Sequence, residues 1–210
     1  MHTGQPQPGP TRLPDALALL ELSSIARGYR TLDALVKEAP VTVVEANLIE
    51  PGRFLILFGG GVAEVESSFK VGKEIGAEDI VDTVLLPLVD TRVWTGLTGT
   101  VTVGDPDTVG VVEGRSIAGV IEACDKALKS AFVELCGLRV MGNLGGKGFF
   151  VVHGKQHDVD AALHVAGGIL SGRGSLVRTE RVGRPHPEFL AWLLRPTGFT
   201  VRLPGGSGCS

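Results

Sequence analysis

Aromatic residues make up only 5% of the 210-residue chain, so its core must be built from aliphatic side chains. An excess of one charge is also missing: the formal net charge is −3, which leaves no basic field to recruit nucleic acid or an anionic membrane. No apolar run reaches the roughly 18 residues needed to cross a bilayer. Met1–Pro14 holds no apolar stretch, so a secretory signal is not expected there, and its Gly, Gln and Pro content suggests a disordered lead-in. Cysteine is limited to Cys124, Cys136 and Cys209, an odd number with no close pair. That spacing fits a reducing cytoplasm better than a disulfide framework and offers no clustered zinc or iron–sulfur ligands. Two packed thiols and one tail thiol are expected.

Glycine is plentiful, at 30 residues, while 43% hydrophobic and 20% charged residues are ordinary for a soluble folded protein. The length suits one large domain or two of about 90–100 residues, and an internal repeat decides for two. Setting Glu21–Val41 over Glu113–Val133 matches eight of 21 positions: Glu21/Glu113, Ser24/Ser116, Ile25/Ile117, Ala26/Ala118, Asp33/Asp125, Lys37/Lys129, Ala39/Ala131 and Val41/Val133. Shifted by 94, the match resumes at Gly60/Gly154, Val65/Val159, Val71/Val165 and Ile75/Ile169; shifted by 98, it continues at Val84/Val182, Pro87/Pro185 and Trp94/Trp192. The matches keep their order, so the chain is a duplication.

Each copy reads as strand, helix, strand, strand, helix, strand and a short helix. In the first, Ala16–Leu22 is an apolar strand and Ser23 or Ser24 caps a helix whose apolar positions Ile25, Leu32, Leu35, Val36 and Ala39 recur at helical spacing up to Pro40. Strands follow at Val41–Leu48 and Phe54–Phe58, a helix from Val62 to Ile75, a strand at Ile80–Leu86 and a short helix within Val89–Leu97. The second copy predicts strand Thr108–Val112, helix Ile117–Ala131, strands Val133–Met141 and Phe149–Val152, helix His157–Leu170, strand Leu176–Val182 and helix Pro187–Leu194. The expected division is a lead-in at 1–14, one domain at 15–97, a linker at 98–107, a second domain at 108–195 and a flexible tail at 196–210. This α/β (α+β) βαββαβ order implies two ferredoxin-like antiparallel sheets, each with its long helices on one face. The order names a fold and not a function.

Catalytic motifs fail on inspection. Gly142–Gly148 lacks the first glycine of a phosphate loop, since Met141 stands there, and Gly148 replaces the Ser or Thr after Lys147. Gly59-Gly60-Gly61 lacks the third glycine of a dinucleotide fingerprint, because Glu64 occupies it. His153 and His157 should end a strand and start a helix, so they need not converge on a metal. No Gly-x-Ser-x-Gly elbow exposes a serine. Asp33 and Asp125 stand four residues before Lys37 and Lys129, the spacing of helical ion pairs.

Leu20-Glu21-Leu22-Ser23-Ser24-Ile25-Ala26-Arg27-Gly28, Asp33-Ala34-Leu35-Val36-Lys37-Glu38-Ala39-Pro40, Gly60-Gly61-Val62-Ala63-Glu64-Val65-Glu66 and Arg184-Pro185-His186 together resemble the bacterial microcompartment shell domain, in both copies and over about residues 16–195. The unpermuted order is similar to tandem-domain shell proteins. That resemblance implies a non-enzymatic tile of the bacterial cytoplasm: a homotrimer with six domains around one pore, which packs with hexameric tiles and pentameric vertices. It implies no cofactor, and neither nucleic acid nor membrane as a partner. It implies that Lys37, Lys129, Arg184, Pro185 and His186 lie at the tile edge; copy one departs there with Leu86-Pro87-Leu88. It also implies that Ile49, Glu50, Pro51, Gly52 and Arg53 of one copy, with Gly142, Asn143, Leu144, Gly145, Gly146 and Lys147 of the other, line the pore and pass small polar metabolites. Some relatives hold an iron–sulfur cluster at this axis through a loop cysteine, and neither loop here has one. Lys147 is expected to project into the pore as a positive ring, unless Glu50 or a neighbouring acid neutralises it. The rival reading is a tandem ferredoxin-like regulatory domain that binds a small ligand between its copies.

Overall fold

The computed structural model describes residues 13–99, 106–141 and 144–193. Copy one runs β1 Ala16–Leu22, α1 Ile25–Glu38, β2 Thr42–Ile49, β3 Arg53–Gly60, α2 Val62–Gly76, β4 Ile80–Leu86 and α3 Thr91–Thr98. Copy two runs β5 Thr108–Gly114, α4 Ile117–Ser130, β6 Val133–Arg139, β7 Gly148–Gly154, α5 Gln156–Gly172, β8 Leu176–Gly183 and α6 Pro187–Leu193. Both sheets are fully antiparallel, in the orders β2-β3-β1-β4 and β6-β7-β5-β8. The duplication extends to irregularities, for β1 and β5 each shift register just after Glu21 and Glu113.

Strand pairing corrects one part of the repeat. Leu19 pairs with Val84, and its counterpart Val111 pairs with Glu180, so β4 and β8 are related by a shift of 96 rather than 98. A two-residue slip keeps every side chain on its own face, which is why sequence matching tolerated it. Leu13 and Pro14 also leave the expected lead-in: Leu13 packs on the core, and the Pro14 carbonyl accepts from Trp94 Nε1 at 2.9 Å. Thr98 closes α3 instead of opening the linker, with Gly99 as a left-handed cap. The tail at 196–210 lies outside the described residues.

Local chemistry explains the main elements. Ser24 and Ser116 cap α1 and α4 by accepting from the backbone N–H of Arg27 and Gly119. Every residue of β1 is buried, so apolar side chains fill both of its faces instead of alternating, with Glu21 the one charged exception. One face of its sheet, with Leu20, Leu22, Phe54, Ile56 and Phe58, packs under α1 and α2. The other face, with Leu17, Leu19, Leu55, Leu57, Val84 and Leu86, is covered by α3 and by α4 of copy two. The two copies therefore share one continuous core.

Candidate functional site: paired loops and the seam between copies

The β2–β3 loop of copy one and the β6–β7 loop of copy two lie against each other. Gly146, at φ +78°, sits so close to the Glu50 carbonyl that a Cβ there would approach it to 3.0 Å. Gly52 and Gly145 also take positive φ, so these turns need glycine. A pocket of about 160 Å³ opens between the loops, lined by Ile49, Glu50, Met141, Leu144, Gly146 and Lys147 among others. Pro51 and Gly52 are exposed at the tip, while Gly142 and Asn143 lie outside the described residues.

The charges in these loops differ from the expected positive ring. Lys147 Nζ lies 3.0 Å from Glu113 Oε1, so a neighbouring acid, though not Glu50, pairs with it. Its repeat counterpart Arg53 stands 3.7 Å from Glu21 Oε2, and Glu21 is the counterpart of Glu113. Each loop cation thus faces a carboxylate near the end of its own copy's first strand. Glu50 is exposed and has no ion pair among the described residues.

Glu21 is fully buried, and burial raises its carboxyl above the ordinary 4.5. Its Oε1 accepts from the Ala118 N–H at 3.0 Å, in the first turn of α4, while Oε2 has no hydrogen-bond partner. A carboxyl raised on folding holds its proton in the native state while the unfolded chain has lost its own. Stability therefore falls as pH rises from about 4.5 towards the raised value. Glu21→Gln keeps the acceptor but removes the titration. Urea melts at a series of pH values should lose that slope; an unchanged slope would assign it elsewhere.

From Glu21 a seam between the copies runs along α4. Ile117, Ile121, Cys124 and Leu128 are buried against copy one, and each of the three aliphatic side chains contributes about 1.5–3 kcal/mol. Arg173 crosses above Gly119 to bind Asp82 Oδ1 at 2.8 Å and the Thr83 carbonyl at 3.0 Å; Ser116 Oγ donates to the other Asp82 oxygen. At the far end Asp125, fully buried, accepts from the Asp90 N–H at 2.8 Å and pairs with Lys129 at 2.7 Å. Lys129 also donates to the Leu88 carbonyl, and Arg92 spans to the carbonyls of Leu128 and Val133 at 2.7 Å each. At 1.5 Å per residue, Lys129 lies about 18 Å along α4 from Ile117 and the loops.

The same helix in copy one is bare. Ile25, Tyr29 and Val36 are 39%, 61% and 42% exposed, whereas their counterparts Ile117, Ile121 and Leu128 are covered to within 2%. Lys37 pairs with Asp33 at 2.6 Å, its one ion pair among the described residues, and both side chains face solvent. Arg184 and His186 are exposed beside the end of β8. Leu88, part of the copy-one segment that departs from the edge motif, and Phe132, which was not singled out in the sequence, flank Lys129 at 70% and 92% exposure. The repeat-conserved Glu21/Glu113 pair was visible there, but nothing in one strand shows what its carboxylate meets.

The remaining sequence candidates do not assemble. His153 ends β7 and His157 opens α5 beside Asp158, and no group of three His, Cys, Asp or Glu side chains able to hold a metal exists among the described residues. Burial pushes the Cys136 thiol up to about 12 and Cys124 well above its usual value, so neither is a ready nucleophile. Cys209 lies outside the described residues. No described helix is long and apolar enough to cross a membrane.

Two βαββαβ units fused through an apolar seam, with polar loops meeting at one end of it, define a tandem assembly module. The BMC domain model matches residues 16–89 and 108–185, and the chain belongs to that bacterial microcompartment family as a tandem member. It is 35% identical over 171 residues to the bacterial microcompartment shell protein PduT of Citrobacter freundii, which covers 81% of this chain and 93% of that protein. It is 34% identical over 99 residues to the carboxysome shell protein CcmK2 of Thermosynechococcus vestitus, covering 45% of this chain and 91% of that one. A crystal structure of a microcompartment protein from Desulfitobacterium hafniense superposes with a TM-score of 0.76 at 33% identity, over 84% of this chain and 98% of that chain.

Proposed function

We propose that this chain is a structural shell tile of a bacterial microcompartment: three copies close into a ring of six domains around a central pore and pack edge to edge into facets. One observation carries the reading. Helix α4 is covered by a sheet of its own chain, and the equivalent face of α1 is apolar, exposed and uncovered. Closed rotation makes such a contact heterologous, copy two of one chain meeting copy one of the next. The tandem relative and both family matches support the shell role and not the ligand-sensing alternative. The paired loops at one end of the seam suit the pore, with small polar metabolites as its traffic. Lys129, at the other end and flanked by exposed Leu88 and Phe132, suits the tile edge, together with Lys37, Arg184, Pro185 and His186. Such an assembly needs no catalytic group, and the proposed location is the shell, in the bacterial cytoplasm, beside other shell proteins.

Light scattering on the purified chain should give about 66 kDa, three times the 22.0 kDa protomer. A monomer or dimer that persists at micromolar concentration contradicts the ring. Negative-stain images should show flat three-fold discs that associate into sheets.

A further inference from the structure

Resting on the ring reading, the structure assigns a polar code to the seam between chains, in which charges opposite in sign to those of the internal seam force copy one and copy two to alternate. We infer that Arg178 of one chain docks on Ser24 and Glu78 of the next. The internal seam is the template. There Asp82, paired with Glu21 across β4 and β1, meets Ser116 and Arg173. Its counterpart Arg178 holds the same place opposite Glu113, and the counterpart of Ser116 is Ser24. The turn after α2, which corresponds to the Arg173 turn after α5, carries Glu78 and Asp79. Asp79 is already held by Arg27 at 3.3 Å and by the Ser23 hydroxyl, whereas Glu78 is 79% exposed and only 3.7 Å from Arg27. Arg178, 71% exposed, pairs among the described residues with its neighbour Glu180 at 3.2 Å.

Signs are therefore swapped between the two seams: acid on the sheet and cation on the helix turn inside the chain, cation on the sheet and acid on the turn between chains. A copy-one sheet on a copy-one helix would set Asp82 against Glu78, and copy two on copy two would set Arg178 against Arg173. Both mismatches oppose like charges, so only alternation satisfies the pairs. The remaining polar contacts carry over in the same register. Glu113 stands where Glu21 accepts from Ala118, and so faces the Ala26 N–H of the next chain. Lys37 and Asp33 stand where Lys129 and Asp125 grip Leu88 and Asp90, and so face the backbone of Arg184 and His186. Arg30 replaces Glu122, and Glu180, on the Arg178 face of β8, replaces Val84.

Cross-linking reads this register directly. In the full chain with Ser24→Cys and Arg178→Cys together, mild oxidation should convert trimers into covalently linked dimers and trimers, and neither single variant should do so. A charge exchange gives a second reading. Glu78→Arg or Arg178→Glu alone should raise the trimer dissociation constant several-fold, and the double exchange should return it towards the parent value. Trimers that form no cross-link, or single exchanges that leave dissociation unchanged, overturn the assigned pairing while the ring stands. A parent chain that never forms trimers overturns the ring itself.

Discussion

Tyr29→Asp should leave a folded chain that no longer forms trimers, whereas Ile121→Asp, at the repeat-equivalent position, should leave no stably folded chain at all. Ile121 is fully buried between α4 and the sheet of copy one, among Leu and Val side chains that offer no counter-charge. Placing a carboxylate there forfeits the transfer energy of the isoleucine and strands a charge in an apolar core. The combined cost rivals the 5–15 kcal/mol by which a whole domain is stable. Tyr29 is 61% exposed, and its ring packs in a tilted arrangement against Phe54 with ring centroids 4.9 Å apart. Losing that costs the isolated chain about 0.5–1.5 kcal/mol. In a closed ring the same side chain is covered, and its desolvation penalty is incurred at all three seams of the trimer. Far-UV circular dichroism with light scattering separates the two outcomes. A Tyr29→Asp protein that keeps its trimer shows that α1 is not the closing face.

The contrast between those two residues also marks where sequence reasoning stopped. The apolar spacing of α1 and α4, their serine caps and the β-branched strands were readable because each depends on neighbours within a turn or a strand. The strand Ile80–Leu86 was legible to the residue, and so was β1, from its short apolar run. What covers the second face was not legible, since Leu17 and Leu19 look the same whether they meet a helix of their own copy or α4 of the other. The two-residue error between β4 and β8 has the same origin: only hydrogen-bonded register distinguishes shifts that preserve the alternation. In the loops the sequence supplied the charges but not their partners. Lys147 was expected either to form a positive ring or to be neutralised by Glu50 or a neighbouring acid, and Glu113, 34 residues earlier, is that acid because β5 and β7 are adjacent strands.

Glu50→Lys should reverse the charge preference of the pore. With Arg53 facing Glu21 and Lys147 paired to Glu113, Glu50 is the exposed loop charge without an ion pair among the described residues. Gly146 packs on the Glu50 carbonyl, so the loop is braced by its neighbour and the carboxylate is presented from a fixed backbone. Three copies around an axis form a negative ring. Unit charges about 8 Å apart interact by roughly 2 kcal/mol at an effective dielectric near 20, and a passing ion feels three of them at once. Cationic and neutral solutes are then favoured over anions, the opposite of what a ring of unpaired Lys147 would give. In shells reconstituted with this protein, Glu50→Lys should speed entry of small anionic metabolites, Glu50→Gln should have an intermediate effect, and neither should change trimer mass. Lys147→Gln tests the pairing, because it frees Glu113 and should slow anions further. Equal anion entry in the parent and in Glu50→Lys shells would show that this carboxylate does not set the selectivity. Unchanged or faster anion entry after Lys147→Gln would show that the Lys147–Glu113 pair does not contribute to the field in the pore.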